Sequence, residues 1–149
     1  MILAGFDCQF TSKWHSIMKH TASLYDIISI VESSYAKQVR VFDSLTIKEI
    51  QDGNITYLVQ NKDSIKYHYS QLLTFIDNHF IELVTEFPGN KIYPAFLRQT
   101  ITSIIANFDH MLLTDLINLS GFPGAYKIRD SAMAANVVFL KDMLYPGKK

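Results

Sequence analysis

A chain of 149 residues has the length of one ordinary domain, enough to bury about two thirds of the surface its unfolded form exposes. Hydrophobic residues at 48% against 19% charged, with 10 Phe and 8 Tyr, exclude a disordered segment and describe a packed globule. The 14 basic residues balance the 14 acidic ones, so no net field favours nucleic acid or an anionic membrane over any other partner, and nucleic acid is not expected as one.

The opening residues Met1 to Phe10 are only mildly apolar, lack a basic region and meet Asp7 early, so they do not read as a signal peptide. Cys8 is the single cysteine, which rules out an intrachain disulfide and fits a reducing compartment; the expected location is the cytoplasm. From Lys13 to about Phe42, Ile17, Leu24, Ile28, Val31 and Tyr35 recur at helical steps, with Thr11 or Ser12 as cap. That long amphipathic helix is expected to end near Asp43-Ser44.

Residues 45–62 are ambiguous. Thr46 to Ile50 alternates and Asp52-Gly53-Asn54 suits a hairpin turn, yet Ile47, Ile50, Ile55 and Leu58 also suit two short helices broken at Gly53. The helical reading is preferred, because an isolated hairpin is marginal without other strands to join.

The next segment, Ser64 to Phe87, carries Tyr69, Leu73, Ile76, Phe80, Leu83 and Phe87 in alternating steps of four and three, an a/d seam of coiled-coil type. Asp63 or Ser64 can cap it, and Pro88-Gly89 stops it. Leu72 and Phe75 lie beside the seam and widen its apolar face, which makes them candidate contacts for a second helix or another subunit.

A fourth helix is expected from Pro94 to Leu119 with Leu97, Ile101, Ile104, Phe108 and Met111 inward, ended by Gly121-Phe122-Pro123-Gly124. A last helix from Asp130 or Ser131 to Leu144 would present Met133, Val137, Leu140 and Leu144 inward, with a frayed tail from Pro146 to Lys149. Apolar stretches are interrupted by charges well before the roughly 18 residues a membrane-spanning helix needs. The expected fold is therefore all-α, an antiparallel bundle of four to five helices forming one domain over residues 1–149, whether alone or within a longer protein.

Signs of chemistry are sparse. His79 with Glu82 and His110 with Asp115, helped by His68, are the best metal-binding candidates, and iron, zinc or manganese would suit them. The His110-x4-Asp115 spacing resembles the last element of hemerythrin-like di-iron bundles, but His15-x4-His20 and His79-x2-Glu82 depart from that family's other pairs. His15 and His20, five apart and rotated about 140° on a straight helix, do not easily grip one ion. No Gly-x-Ser-x-Gly string, no phosphate-binding glycine loop and no Cys–His pairing stands out, so no catalytic residue is assigned. A helical RNase-like or toxin/immunity-type protein is a minor alternative, since Arg98 lies too far before His110 for a short Arg–His motif.

In the first helix, Ile30-Val31-Glu32-Ser33-Ser34-Tyr35-Ala36-Lys37-Gln38-Val39-Arg40 resembles the F-BAR signature, an Ile-x-Glu-x-x-Tyr-Ala-Lys-x-Leu pattern near the amino terminus. The resemblance covers residues 6–45. It implies a long helix of a dimerising domain that lies on anionic membrane, with Lys37 and Arg40 as membrane contacts or charge partners and Tyr35 and Val39 inside. This chain departs from the family in its short length, in the Ser29-Ile30 that stands where Glu-Arg is common, and in lacking a concentrated basic face. The expected function is a non-catalytic helical interaction module, binding another protein or itself, at a membrane surface if the resemblance holds, and needing no cofactor. A metal-binding bundle is the alternative.

Overall fold

The structure, a computed structural model, describes residues 24–86, 92–116 and 123–147. The chain is all-α: seven helical segments and no strand occur among the described residues. They are α1 (24–31), α2 (Ser33–Gln51), α3 (Ile55–Gln60), α4 (Lys62–Asn78), α5 (Phe80–Glu86), α6 (Tyr93–Leu116) and α7 (Pro123–Leu144). None of these helices is long and apolar enough to cross a membrane. Two compact units divide the chain, one over Thr11–Ile101 and the other over Met1–Phe10 with Thr102–Lys149.

The first expected helix differs from its reading in the middle of its described part and at its end. It breaks at Glu32, whose backbone is extended at φ −146° and ψ 98°, although Glu32 N–H still donates to Ile28 O at 2.9 Å and Ala36 N–H to Glu32 O at 2.9 Å. Serines explain the kink. Ser29 Oγ donates to Asp26 O at 2.8 Å and Ser33 Oγ to Ser29 O at 3.4 Å, and such bonds back to the preceding turn bend helices. The expected stop at Asp43-Ser44 is not realised: α2 runs on to Gln51, because Asp43 is buried on its inner face instead of capping an end.

The ambiguous stretch 45–62 is helical and is broken at Gly53, as the preferred reading had it, though its first part belongs to α2. Gly53 sits at φ +66°, a conformation open to glycine at little steric cost. The Gly53 N–H donates to Ile50 O at 3.1 Å and the Asn54 N–H to Glu49 O at 2.9 Å, the paired bonds of a Schellman ending. Asn54 then starts α3, its side-chain oxygen accepting from Tyr57 N–H at 3.2 Å.

The long helix expected over Ser64–Phe87 is present as α4 and α5, with a distortion at His79. Its hydrogen bonds continue across that residue, from His79 N–H to Phe75 O at 3.1 Å and from Leu83 N–H to His79 O at 2.9 Å. Asp77, Asn78 and His79 in succession are weak helix formers, which is where such a ladder gives way. The start is two residues earlier than Ser64; Asn61 precedes it, and its side chain donates to Tyr57 O at 2.9 Å, so neither Asp63 nor Ser64 is the cap. The buried seam is Ile65, Tyr69, Leu72, Ile76 and Leu83. Leu72 thus takes the core position expected of Leu73, while Leu73 and Phe80 are half-buried.

In the unit formed by Thr11–Ile101, α2 and α4 run antiparallel. Tyr35 packs on Phe75 with ring centroids 4.7 Å apart, and about two turns further along α2, Phe42 stacks on His68 at 4.1 Å, so residue numbers rise on one helix as they fall on the other. Leu24, Ile27 and Ile28 of α1, Leu58 of α3 and Leu97 and Ile101 of α6 complete this core. Arg98 of α6 holds Asp77 of α4 with two bonds, Nε to Oδ1 at 2.5 Å and Nη2 to Oδ2 at 3.1 Å.

In the other unit, α6 supplies buried Ile104 and Phe108, as expected of its seam. α7 departs from expectation in two respects. It begins at Pro123, a favoured first helical residue, so the string expected to end one helix contains the start of the next. It is also rotated: Val137, expected inward, is exposed, and Asn136 is buried, accepting at Oδ1 from Ser103 Oγ of α6 at 3.0 Å. The Pro88-Gly89 stop, residues 117–122 and Lys148-Lys149 lie outside the described residues, as do Cys8, His15 and His20.

Candidate functional site

The antiparallel pairing of α2 and α4 creates a cleft of about 50 Å³ lined by Tyr35, Gln38, Val39, Phe42, Asp43, His68, Tyr69 and Leu72. Such a volume holds about three waters, which makes it a gap in helix packing and not a substrate chamber. Its inner wall carries one polar pair. The Tyr69 hydroxyl donates to Asp43 Oδ1 at 2.6 Å, and both residues are buried, Asp43 with 1% of its surface exposed. Burial, then the Asp43 charge and the hydrogen bond to it, push the Tyr69 pKa well above its usual value. The phenol therefore stays protonated near neutral pH and acts as a donor to the carboxylate, so it is no base or nucleophile.

The aromatic rings around this pair fall into two groups, Phe42 with Tyr69 and His68, and Phe75 with Tyr35 and His79. Phe42 meets Tyr69 edge-on at 5.8 Å, and Phe75, half-buried, touches Tyr35 on one side and His79 on the other, the latter at 4.6 Å. Tyr35 also has a raised pKa, from burial first and the nearby Glu32 second. Leu72 is 2% exposed and lines the cleft with residues of α2, so of the two contacts expected of it, a second helix or another subunit, it serves the second helix; Phe75 is engaged with Tyr35 and His79.

Lys37 and Arg40 are both exposed on α2; Lys37 lies away from the buried Ala36, Val39 and Asp43, whereas Arg40, one turn from Ala36 and Asp43, lies at the edge of the buried face. The Arg40 guanidinium lies over the Tyr25 ring, 5.3 Å from its centroid. Between and beyond these cations stand two residues that the sequence reading did not single out, Val41 at 71% exposure and Leu45 at 43%. Lys37, Val41, Leu45 and Lys48 recur at steps of four, four and three and so share one outward face. Lys48 also bonds the Asp52 carboxylate one turn on. The signal was available: Val41 and Leu45 fall half a turn or so from Val39, Asp43 and Ile47, and two aliphatics there are out of phase with the core.

The metal candidates do not assemble into a centre among the described residues. His79 Nδ1 lies 3.2 Å from Glu82 Oε2, an ordinary pairing of neighbours on one helix, and both side chains are partly exposed. His68 is three turns earlier on the same helical run, on the order of 16 Å away by helical rise, and is stacked on Phe42. His110 and Asp115 belong to α6, but their side chains lie outside the described part. Among the described residues no group of three or more His, Cys, Asp or Glu side chains could hold an ion. No known protein family, curated protein or solved structure matches the chain.

Proposed function

We propose that the chain is a non-catalytic helical interaction module, and that the outer face of α2 is its docking surface for a negatively charged partner. The observation that carries this reading is the exposed Val41–Leu45 pair flanked by Lys37 and Lys48 on one face of α2. Exposed aliphatics one turn apart on an otherwise polar helix face supply apolar area to bury, and the cations around them form a charged rim that favours an acidic surface. The resemblance of residues 6–45 to F-BAR domains puts Lys37 and Arg40 in the contact and names an anionic membrane as the first surface to test; an acidic protein is the other. The lone Cys8 accords with a cytoplasmic location.

Flotation with vesicles of mixed phosphatidylcholine and phosphatidylserine, across a salt series, tests the reading. Binding should weaken with salt, and Lys37→Ala with Arg40→Ala should together reduce it by about thirty-fold, at about 1 kcal/mol per basic residue near the surface. Val41→Glu with Leu45→Glu should abolish it while shifting stability by less than about 0.5 kcal/mol per site, since both side chains are outside the core. Binding to neither vesicles nor an acidic protein, or binding indifferent to these four residues, removes the α2 surface as the docking site.

A further inference from the structure

Between α1 and α2 the chain turns a sharp corner. The Arg40 guanidinium lies 5.3 Å from the Tyr25 ring centroid, yet on one straight helix these residues would sit about 22 Å apart along the axis, beyond the combined reach of both side chains. The contact therefore needs roughly a right angle, or less, between the two helices. The serine bonds loosen the helix there, but the sequence still carries a single one. No glycine or proline lies between Leu24 and Gln51, and Leu24, Ile28, Val31, Tyr35, Val39 and Phe42 keep steps of three and four straight through the break, none of them exposed. The whole connection is Glu32, a good helix former held in extended backbone. What keeps α1 in the corner is its seat: Leu24, Ile27 and Ile28 are each at most 1% exposed, in the core of the Thr11–Ile101 unit.

We propose that Glu32 is an exchange hinge. With its backbone returned to helix, α1 and α2 form one helix over residues 24–51, whose first turns fill the α1 seat of a second copy while that copy's α1 fills the seat left behind. Magnitudes select the second copy as the occupant. Three buried aliphatics released into water cost far more than the one cation–π contact at the corner contributes, so α1 does not swing free. Reciprocal exchange keeps those side chains buried against the same residues and places Tyr25 of each copy under Arg40 of the other, so the seat formed within one chain becomes the interface between two. Only the hinge differs between the two states, and a one-residue connection that prefers helix favours the straight form. The inference goes beyond the docking role of the outer face of α2 and does not use that face, so it stands or falls separately from vesicle binding there.

Refolding the full chain from urea over a concentration series, followed by sedimentation velocity, is the test. Dimer should form at high concentration and persist on dilution, because dissociation requires α1 to leave its seat. Ser29→Ala with Ser33→Ala removes both bonds that favour the bend and should raise the dimerisation constant about ten-fold, with four substitutions acting in each dimer. Inserting Gly-Ser-Gly after Glu32 interrupts the straight helix and lets one chain turn the corner alone, so it should leave only monomer with unchanged helicity. Tyr25→Cys with Arg40→Cys in a Cys8→Ser background, treated with a short bismaleimide, reads the topology: the isolated dimer should give covalent dimers on denaturing gels, and the monomer should cross-link within one chain. Wild-type monomer at all concentrations, a dimer that survives the insertion, or a dimer whose cross-links stay within single chains overturns the proposal. The last of these, joined to loss of the dimer in Val41→Glu with Leu45→Glu, assigns self-association to the outer face of α2 and leaves the interaction-module reading standing.

Discussion

Tyr69→Phe removes one oxygen from the interior and tests how the α2–α4 pair is held. The lost bond is a 2.6 Å phenol–carboxylate contact between two buried residues, and hydrogen bonds to charged groups contribute about 1.5–3 kcal/mol net. About 2 kcal/mol of destabilisation is expected, a fall in Tm of about 4–8 °C for a domain of this size. Urea unfolding followed by circular dichroism measures it, and a double-mutant cycle with Asp43→Asn isolates the pair, with a coupling of about 1–2 kcal/mol. The same bond predicts a pH dependence. Tyr69 titrates near pH 10 in the unfolded chain and well above that when folded, so its stabilisation is complete below about pH 10 and is lost as pH rises through the folded value. Stability should therefore decline above about pH 10, and less steeply in Tyr69→Phe, with Tyr35 accounting for part of the remaining slope. A Tyr69→Phe protein within about 0.5 kcal/mol of wild type, or one with an identical alkaline slope, would refute the account of this pair.

Gly53→Ala should cost about 1–2 kcal/mol, all of it conformational, since the added Cβ meets nothing within 4 Å but the residue stays at φ +66°; Gly53→Asn should cost less, and thermal melts compare the two. Leu72→Ala should cost about 2–5 kcal/mol in urea unfolding, as expected of a core seam, and a change under 1 kcal/mol would return Leu72 to the surface. Arg98→Ala should cost about 1 kcal/mol or less, because the Asp77 and Arg98 side chains are each 43% exposed, and the loss should shrink in high salt when melts are repeated with added sodium chloride.

Helix content was legible because apolar residues at three-four spacing dominate this chain, and the seams of α4 and α6 were recoverable from that spacing to within one residue. The boundaries were less so, for reasons local to particular residues. Ser29, Ser33 and Ser34 read as neutral occupants of a helix, yet two of them bond back to carbonyls and bend it at Glu32. Pro123 reads as a terminator because it follows glycine and phenylalanine, but its fixed φ serves equally as the first residue of α7. One-dimensional punctuation marks a change of direction without saying which side of it a residue joins.

The surfaces were hidden by a different property of the pattern. Asp43 was read as part of a helix stop, but a carboxylate in an apolar stripe is tolerable once it has a partner, here Tyr69 OH, 26 residues away on the facing helix. Asn136 hides α7 in the same way: with Ser103 as its partner it can face inward, which sends Val137 and Val138 outward. In both helices a polar side chain satisfied across the core sets the rotation, and the rotation decides which aliphatics remain at the surface. Periodicity alone assigns every aliphatic to the core, so a docking face becomes visible only once the buried polar pair that displaces it is known.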